Sequence, residues 1–383
     1  MIFPNAQIPY LKDFREDDEV LRFTVYSIDL SFVNALRRTV LSDIAVCHID
    51  SDRCVIKKND GQLHNELIKE RLLCIPVHVD KKDMVEFVRD FTLDITLSNT
   101  SDAMQTVTTN DFRIRNSTTN EYVNSAIRQS IFPPNLYSRD YIDFARLLPN
   151  QSLVLTSGFA IGDVKKNGAF SATCLCTFVN TVDADLVLRA WTDVEHKMIA
   201  KAASEEEILF AKKNFYLLDA QRHFYKDSFD FSIQSVVYRN VVILQMACDV
   251  LLAKLRSRYE LSDADEAAAS FREQDIDYLI ITVSESTAAN SFDIVLVDEG
   301  YTLGKVFEYI LYTYMYKTHY LTYCGFKQFH PHDANSTIRV AFRDEGTKEE
   351  MVQRCRVIMS RAAKYAIAVF TNVRELLSMQ SST

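Results

Sequence analysis

Phe23-Thr-Val-Tyr-Ser-Ile-Asp29-Leu-Ser-Phe-Val-Asn34-Ala-Leu36-Arg37-Arg38-Thr-Val-Leu41 reads as a short strand, an acidic turn and a helix with apolar residues at helical spacing. Near the other end of the chain, Phe292-Asp-Ile-Val-Leu-Val-Asp298-Glu-Gly-Tyr-Thr302-Leu303-Gly304-Lys305-Val-Phe307-Glu-Tyr-Ile-Leu311 follows the same plan. Solenoid repeats recur every few tens of residues, so a unit repeated across most of the chain is something else. It predicts two related half-domains able to pair as a built-in pseudo-dimer. Such a pair is a scaffold.

Outward from these two stretches, 383 residues leave room for two or three domains and a substantial core. Hydrophobic residues make up 48% and charged residues 25%, ordinary for a globular protein. With 8 glycines and 7 prolines, long loop-rich tracts are not expected. The net charge of −9 argues against a protein that grips nucleic acid alone, which needs a basic excess or a dense basic stripe. The start, Met1-Ile-Phe-Pro-Asn-Ala-Gln7, lacks a signal-peptide pattern. The closest approach to a membrane span, Val236 to Leu255, is broken by Arg239, Asn240 and Asp249. The expectation is a soluble, intracellular chain whose 8 scattered cysteines are reduced core thiols.

Alternation of Leu21, Phe23 and Val25 predicts a half-buried strand over 20–28. A helix from Phe32 to Leu41 follows, then a strand from Ala45 to Lys57 and a helix from His64 to Leu73, which Ile75-Pro76 ends. From 85 to 180 short β-rich runs alternate with polar clusters, at 91–97, 107–114, 153–161 and 170–179. A helix is expected over 204–218. A long one is expected over 236–259, with a seam of Val237, Val241, Leu244, Cys248, Leu251, Leu255 and Tyr259. Polar, Ala-rich 260–274 reads as a linker. Strands over 278–283 and 291–297, a helix over 303–316 and a strand over 337–342 lead into a closing helix over 348–377. Its seam is Met351, Cys355, Ile358, Ala362, Ala366, Phe370 and Val373. Each half therefore ends in one long seamed helix, and two such stripes can bury against each other.

The chain resembles the α-like subunits of multisubunit RNA polymerases. In the first half the carriers are Asn34-Ala-Leu-Arg37-Arg38-Thr-Val-Leu-Ser-Asp43-Ile44 and Leu63-His64-Asn-Glu66-Leu-Ile-Lys-Glu-Arg71-Leu-Leu-Cys-Ile75-Pro76. Gly158-Phe-Ala-Ile-Gly162 and Ala169-Phe-Ser add to them. This half resembles the third-largest subunit of the eukaryotic enzyme, the archaeal D subunit and the bacterial α amino-terminal domain. The second half, through Glu299-Gly-Tyr-Thr302-Leu303-Gly304, Gly325-Phe326 and His330-Pro331-His332, is similar to the small partner, called L in archaea. Both halves in one chain resemble the arrangement in large cytoplasmic DNA viruses. Lys305 and Glu308 stand where the family often carries Asn and Arg, and residues 182–216 match nothing in it.

The resemblance implies an α+β fold of two dimerisation half-domains, each an antiparallel sheet with long helices, paired within the chain. The expected divisions are 1–50 and 216–259 for the first half-domain, 51–215 for a β-rich insertion domain, 260–275 for the linker and 276–383 for the second half-domain. It implies a non-catalytic platform on which the two large polymerase subunits dock, with small adaptor subunits, indirect contact with DNA and RNA, and no membrane. If viral, it would work in the infected cell's cytoplasm and the virion; otherwise in the nucleus. A stand-alone regulatory or DNA-binding protein is the alternative. Docking is expected at Asn34, Arg37, Arg38, Glu66 and Arg71. Pairing of the halves is expected at Leu36, Val40, Leu244, Cys248, Leu251, Thr302, Leu303, Gly304, Phe307, Ile358, Ala362 and Phe370.

Each feature also has a plainer reading. Arg37 and Arg38 offer planar forks to a partner carboxylate or carbonyl, or are solvated charges. Glu66 and Arg71 form an internal pair or a docking patch. Cys174 and Cys176 are two ligands where structural zinc takes four, so core thiols are expected and no zinc. His330, His332 and Asp333 read as a structural turn rather than a metal site. Arg354, Arg356, Arg361 and Lys364 read as a solvated face. Asp263-Ala-Asp265-Glu266 has a magnesium-like spacing but sits in the linker. No phosphate loop or nucleophile motif is present, so no catalytic residue, metal or cofactor is expected.

Overall fold

The computed structural model describes residues 8–260, 278–285 and 289–380. In chain order its elements begin β1 (Tyr10–Asp17), β2 (Val20–Tyr26), α1 (Leu30–Ser42), β3 (Val46–Asn59), α2 (Asn65–Leu73), α3 (Met84–Asp90), β4 (Phe91–Ser98), β5 (Gln105–Thr108) and β6 (Arg113–Asn116). They continue with α4 (Ser125–Ile131), β7 (Asp143–Leu147), β8 (Ser152–Gly162), β9 (Thr173–Val182), α5 (Ala184–Ala200), α6 (Glu205–Leu217), β10 (Phe224–Ser235) and α7 (Asn240–Arg258). The last are β11 (Leu279–Val283), β12 (Ser291–Leu296), α8 (Tyr301–Leu311), β13 (Leu321–Lys327), β14 (Ser336–Phe342) and α9 (Lys348–Gln380). The fold is mixed α+β with antiparallel sheets.

Two compact units divide the chain: 1–39 with 176–233 and 244–383, and 40–175 with 234–243. β9 leaves the β-rich stretch to pair beside β10 in the first unit. Apart from Glu260, the expected linker lies outside the described residues, and so do Asp263, Asp265 and Glu266.

The first unit holds two four-stranded sheets, ordered β1-β2-β10-β9 and β11-β12-β14-β13. Each runs first, second, fourth, third strand in its own chain order. Each places a helix, α1 or α8, after its second strand and a long helix, α7 or α9, after its fourth. Alternation builds the first sheet: Leu21, Phe23 and Val25 of β2 and Phe229, Phe231 and Ile233 of β10 are buried, and the Phe23 and Phe231 rings stack with centroids 5.1 Å apart. β12 and β14 bury Phe292, Ile294, Leu296, Ile338 and Val340 in the same way.

The expected seam of α9 is buried throughout. The arc of α7 is wider than a seam, since Ile243, Met246, Ala247 and Leu252 are buried as well. α7 starts at Asn240 rather than 236. Asn240 Oδ1 accepts from Ser235 N (2.7 Å) and Ser235 Oγ from Tyr238 N (3.2 Å), which holds the preceding residues in a turn. Arg354, Arg356, Arg361 and Lys364 of α9 are half-buried, not a fully solvated face.

In the second unit, sheet β3-β8-β4-β6 buries Ile49, Leu93, Ile95, Leu155 and Phe159 in one core with Ile68 and Leu72 of α2 and Met84 and Phe87 of α3. β5 and β7 form a separate pair. The expected strand over 107–114 is interrupted. Thr108 and Asp111 form a capping box that opens a single 3-10 turn, Thr109–Asp111, between β5 and β6.

Candidate assembly surface

In the first repeat, Asp29 Oδ1 accepts from Ser31 N (2.8 Å) and Ser31 Oγ (2.6 Å) at the start of α1. One turn on, Arg37 Nε donates to Asn34 Oδ1 at 3.0 Å. Arg38 reaches across to the second repeat, where its Nε donates to Thr302 Oγ1 at 3.0 Å. Phe32, early in α1, packs against Tyr309, late in α8, with ring centroids 6.1 Å apart. Arg38, late in α1, meets Thr302, early in α8. The two repeat helices thus meet antiparallel. Phe32 also packs on Phe370 of α9, at 5.4 Å.

The long helices are also antiparallel. Arg374 of α9 pairs with Asp249 of α7, and Gln245 Nε2 donates to Ser378 Oγ at 3.5 Å. At the C-terminal end of α7, Lys254 and Arg258 hold the carboxylate of Glu299 at 3.3 and 3.0 Å, and that carboxylate is only 3% exposed. Arg258 lies over the Tyr278 ring, and Tyr259 meets Phe307 edge to face at 4.9 Å. Leu36, Val40, Leu244, Cys248, Leu251, Leu303, Gly304, Phe307, Ile358, Ala362 and Phe370 are all buried and Thr302 is half-buried. Burial pushes the Cys248 and Cys355 thiols up to about 12.

Gly304 has a steric reason to be glycine. A Cβ there would lie 2.0 Å from the Phe326 ring. The Thr-Leu-Gly and Gly-Phe segments are therefore two sides of one contact. Tyr301 closes on the same ring and the Lys305 ammonium sits over it, at 5.1 and 5.4 Å. Lys305 Nζ also pairs with Glu308 Oε2 at 2.6 Å, while Glu308 Oε1 accepts from Phe326 N at 3.0 Å. The two residues that depart from the family pattern thus tie α8 to β13.

Glu66 and Arg71 do not pair with each other. Glu66 accepts from His64 Nδ1 at 2.7 Å, and its carboxyl is held below the usual range by its own backbone N–H and by His64. Arg71 Nε and Nη2 donate to the carbonyls of Phe144 and Asp143 at 2.8 and 2.9 Å. Five residues apart on α2, the two point to different sides. Clefts of about 360 and 320 Å³ flank Arg71, the first lined also by Asn59, Leu63 and Leu147, the second by Leu67, Glu70 and Cys74.

Of the cysteines, Cys74 and Cys174 are exposed and Cys324 is partly so, which corrects the expectation that all are core thiols. Cys174 and Cys176 part company: Cys174 Sγ donates to Gln234 O (3.4 Å), while Cys176 is buried. In the His330 turn, Asp333 Oδ2 accepts from His330 N (2.9 Å) and His330 Nδ1 from His332 N (3.2 Å). The side chains that look like metal ligands build the turn instead. Among the described residues no cluster of three His, Cys, Asp or Glu side chains could hold a metal ion, and no helix is long and apolar enough to cross a membrane.

The sequence reading misses β10, although Phe229, Phe231 and Ile233 alternate with Asp230 and Ser232. It also misses the contact of Glu299 with α7, for which a buried-helix end carrying Lys254 and Arg258 is the only signal.

No protein-family model matches the chain. Over 57 residues, 15% of its length, it is 39% identical to the DNA-directed RNA polymerase subunit Rpo3 of Thermococcus kodakarensis, and the match spans 21% of that protein. The chain is thus similar, over part of its length, to a subunit of DNA-directed RNA polymerase.

Proposed function

We propose that the chain is a non-catalytic assembly subunit of a DNA-dependent RNA polymerase, with no cofactor of its own. The observation that carries this reading is the pair of sheets with one connectivity, whose repeat helices meet antiparallel through Arg38–Thr302 and Phe32–Tyr309. Two like elements joined in this sense form an isologous contact, the geometry of a dimer built into one chain. The polymerase assignment draws its support from the partial similarity to Rpo3.

In this reading the paired halves are the platform, and 43–172 is an insertion between α1 and β9 of the first half. The two large catalytic subunits dock on the first half, with small adaptor subunits beside them. Asn34 and Arg37 hold each other on the half-buried face of α1, and an arginine in that setting offers its remaining N–H groups to a carboxylate or carbonyl. Arg38 serves the pairing of the halves instead. Arg71 shapes the clefts beside α2 rather than offering its fork to a partner. DNA and RNA are contacted only through the complex. Both halves in one polypeptide favour a viral enzyme, working in the cytoplasm of the infected cell and carried in the virion.

The test is purification of the tagged chain from its native setting at high salt, with the retained proteins identified by mass. Stoichiometric recovery of two very large chains is expected. Recovery of the chain alone, or only with nucleic acid, contradicts the proposal.

A further inference from the structure

The hairpin of α5 and α6 belongs to neither repeat. Its inner side is a small core of Val187, Trp191, Phe215 and Ala220, with the Trp191 and Phe215 rings 5.6 Å apart. A capping box opens α6: Ser204 Oγ accepts from Glu207 N and Glu207 Oε2 from Ser204 N. Ile208, Ala211 and Phe215 turn inward, and the Lys212 ammonium lies 5.8 Å over the Trp191 ring. That side of the helix is accounted for.

A second stripe on α6 faces out. Glu206, Leu209, Phe210, Lys213 and Leu217 fall at i, i+3, i+4, i+7 and i+11, one face of a helix about 100° wide. Leu209, Phe210 and Leu217 are 57%, 67% and 68% exposed. Apolar groups gathered on one solvent-facing stripe mark an interaction surface. The charges on this stripe identify the occupant. Glu206 stands on the N-terminal side of the Leu209–Phe210 centre and Lys213 the same distance on the C-terminal side. A two-fold axis between Leu209 and Phe210 brings a second α6 in antiparallel, with Glu206 of each copy opposite Lys213 of the other. The apolar pair then stacks on itself at the axis. A surface complementary to its own inverse is the signature of an isologous contact.

We propose that the free chain self-associates through this face of α6, its occupant being α6 of a second copy. The patch is small. Three large apolar side chains on a helix about 20 Å long bury less than the ~800 Å² per partner of a standard interface, so the dimer is reversible and concentration-dependent. The proposal does not rest on the polymerase reading, and its failure leaves that reading untouched.

Sedimentation equilibrium of the full chain over a wide concentration range tests it. The mass is expected to rise from one chain toward two. Glu206→Lys or Lys213→Glu alone sets like charges opposite each other twice per dimer and is expected to weaken association about tenfold or more. The two exchanges together restore the pairing and recover association. Phe210→Glu is expected to abolish it, and the exposed charge exchanges serve as the control should that variant fold poorly. A single-chain mass at every concentration, or association that the double exchange does not recover, overturns the proposal.

Discussion

The two copies of the strand–turn–helix unit share a plan and differ in nearly every polar fitting. In both, the turn carries one residue in the left-handed region, Ser27 at φ 57° and Asp298 at φ 54°. Both helices start three residues after it, at Leu30 and Tyr301. Structural register therefore pairs Ser27 with Asp298, and Asp29 with Gly300. The two aspartates that look equivalent in sequence are two residues out of step. Asp29 caps its own helix, whereas the second copy's carboxylate, Glu299, is clamped by Lys254 and Arg258 of the first copy's long helix. The same register sets Asn34–Arg37 against Lys305–Glu308: one i,i+3 slot, a neutral–cation hydrogen bond in the first copy and an ion pair in the second. Backbone plan survives such divergence because apolar alternation and turn geometry specify it, while polar partners can be exchanged singly.

Removing a carboxylate from each turn separates the copies most. Glu299→Ala removes a buried carboxylate that Lys254 and Arg258 both hold, and breaking a buried ion pair from one side is expected to cost about 3–5 kcal/mol. Asp29→Ala loses a helix cap, at about 1 kcal/mol. Equal losses in urea unfolding would break the contrast.

Next in size is Gly304→Ala, whose Cβ would displace the Phe326 ring. Overpacking of this kind costs about 1–3 kcal/mol. Combined with Phe326→Ala the losses should be less than additive in the same assay, and full additivity would show that the ring is not what excludes the methyl group.

The Arg38–Thr302 hydrogen bond, which joins the copies, is smaller. A double-mutant cycle with Arg38→Ala and Thr302→Val is expected to give a coupling of about 0.5–1.5 kcal/mol, and a coupling of zero would remove it from the pairing.

Smallest in energy, but informative on symmetry, is thiol access. With Cys248 and Cys355 buried in the two long helices and their thiols pushed up to about 12, a neutral-pH alkylating reagent should label Cys74 and Cys174 and spare both. Labelling of one of the helix pair but not the other would mean that the copies open separately.

The long helices are legible because Leu244, Cys248 and Leu251, like Ile358, Ala362 and Phe370, recur at three- and four-residue steps, a signal that needs no knowledge of the partner. β2 and β12 are legible through alternation. The partners of polar groups are not. Arg71 sits in a helix where an i,i+3 or i,i+4 neighbour is the natural mate, yet its acceptors are carbonyls about seventy residues away. Glu299 reads as a surface turn residue until α7 is brought to it. The motif glycine of Thr302-Leu303-Gly304 is visible in sequence, but its reason, the Phe326 ring, is tertiary. β9 shows the same limit at the level of a strand: its sequence reads as β, and only pairing decides which sheet takes it.

The proposed function requires the two halves to pair into one docking platform. The direct test is to make 1–260, tagged, and 278–383 as two polypeptides in the same cell. The tagged piece is expected to retain the other through high salt, and the pair to recover the two large polymerase chains. Pieces that fold but separate, or a first piece that assembles the large subunits alone, would contradict it.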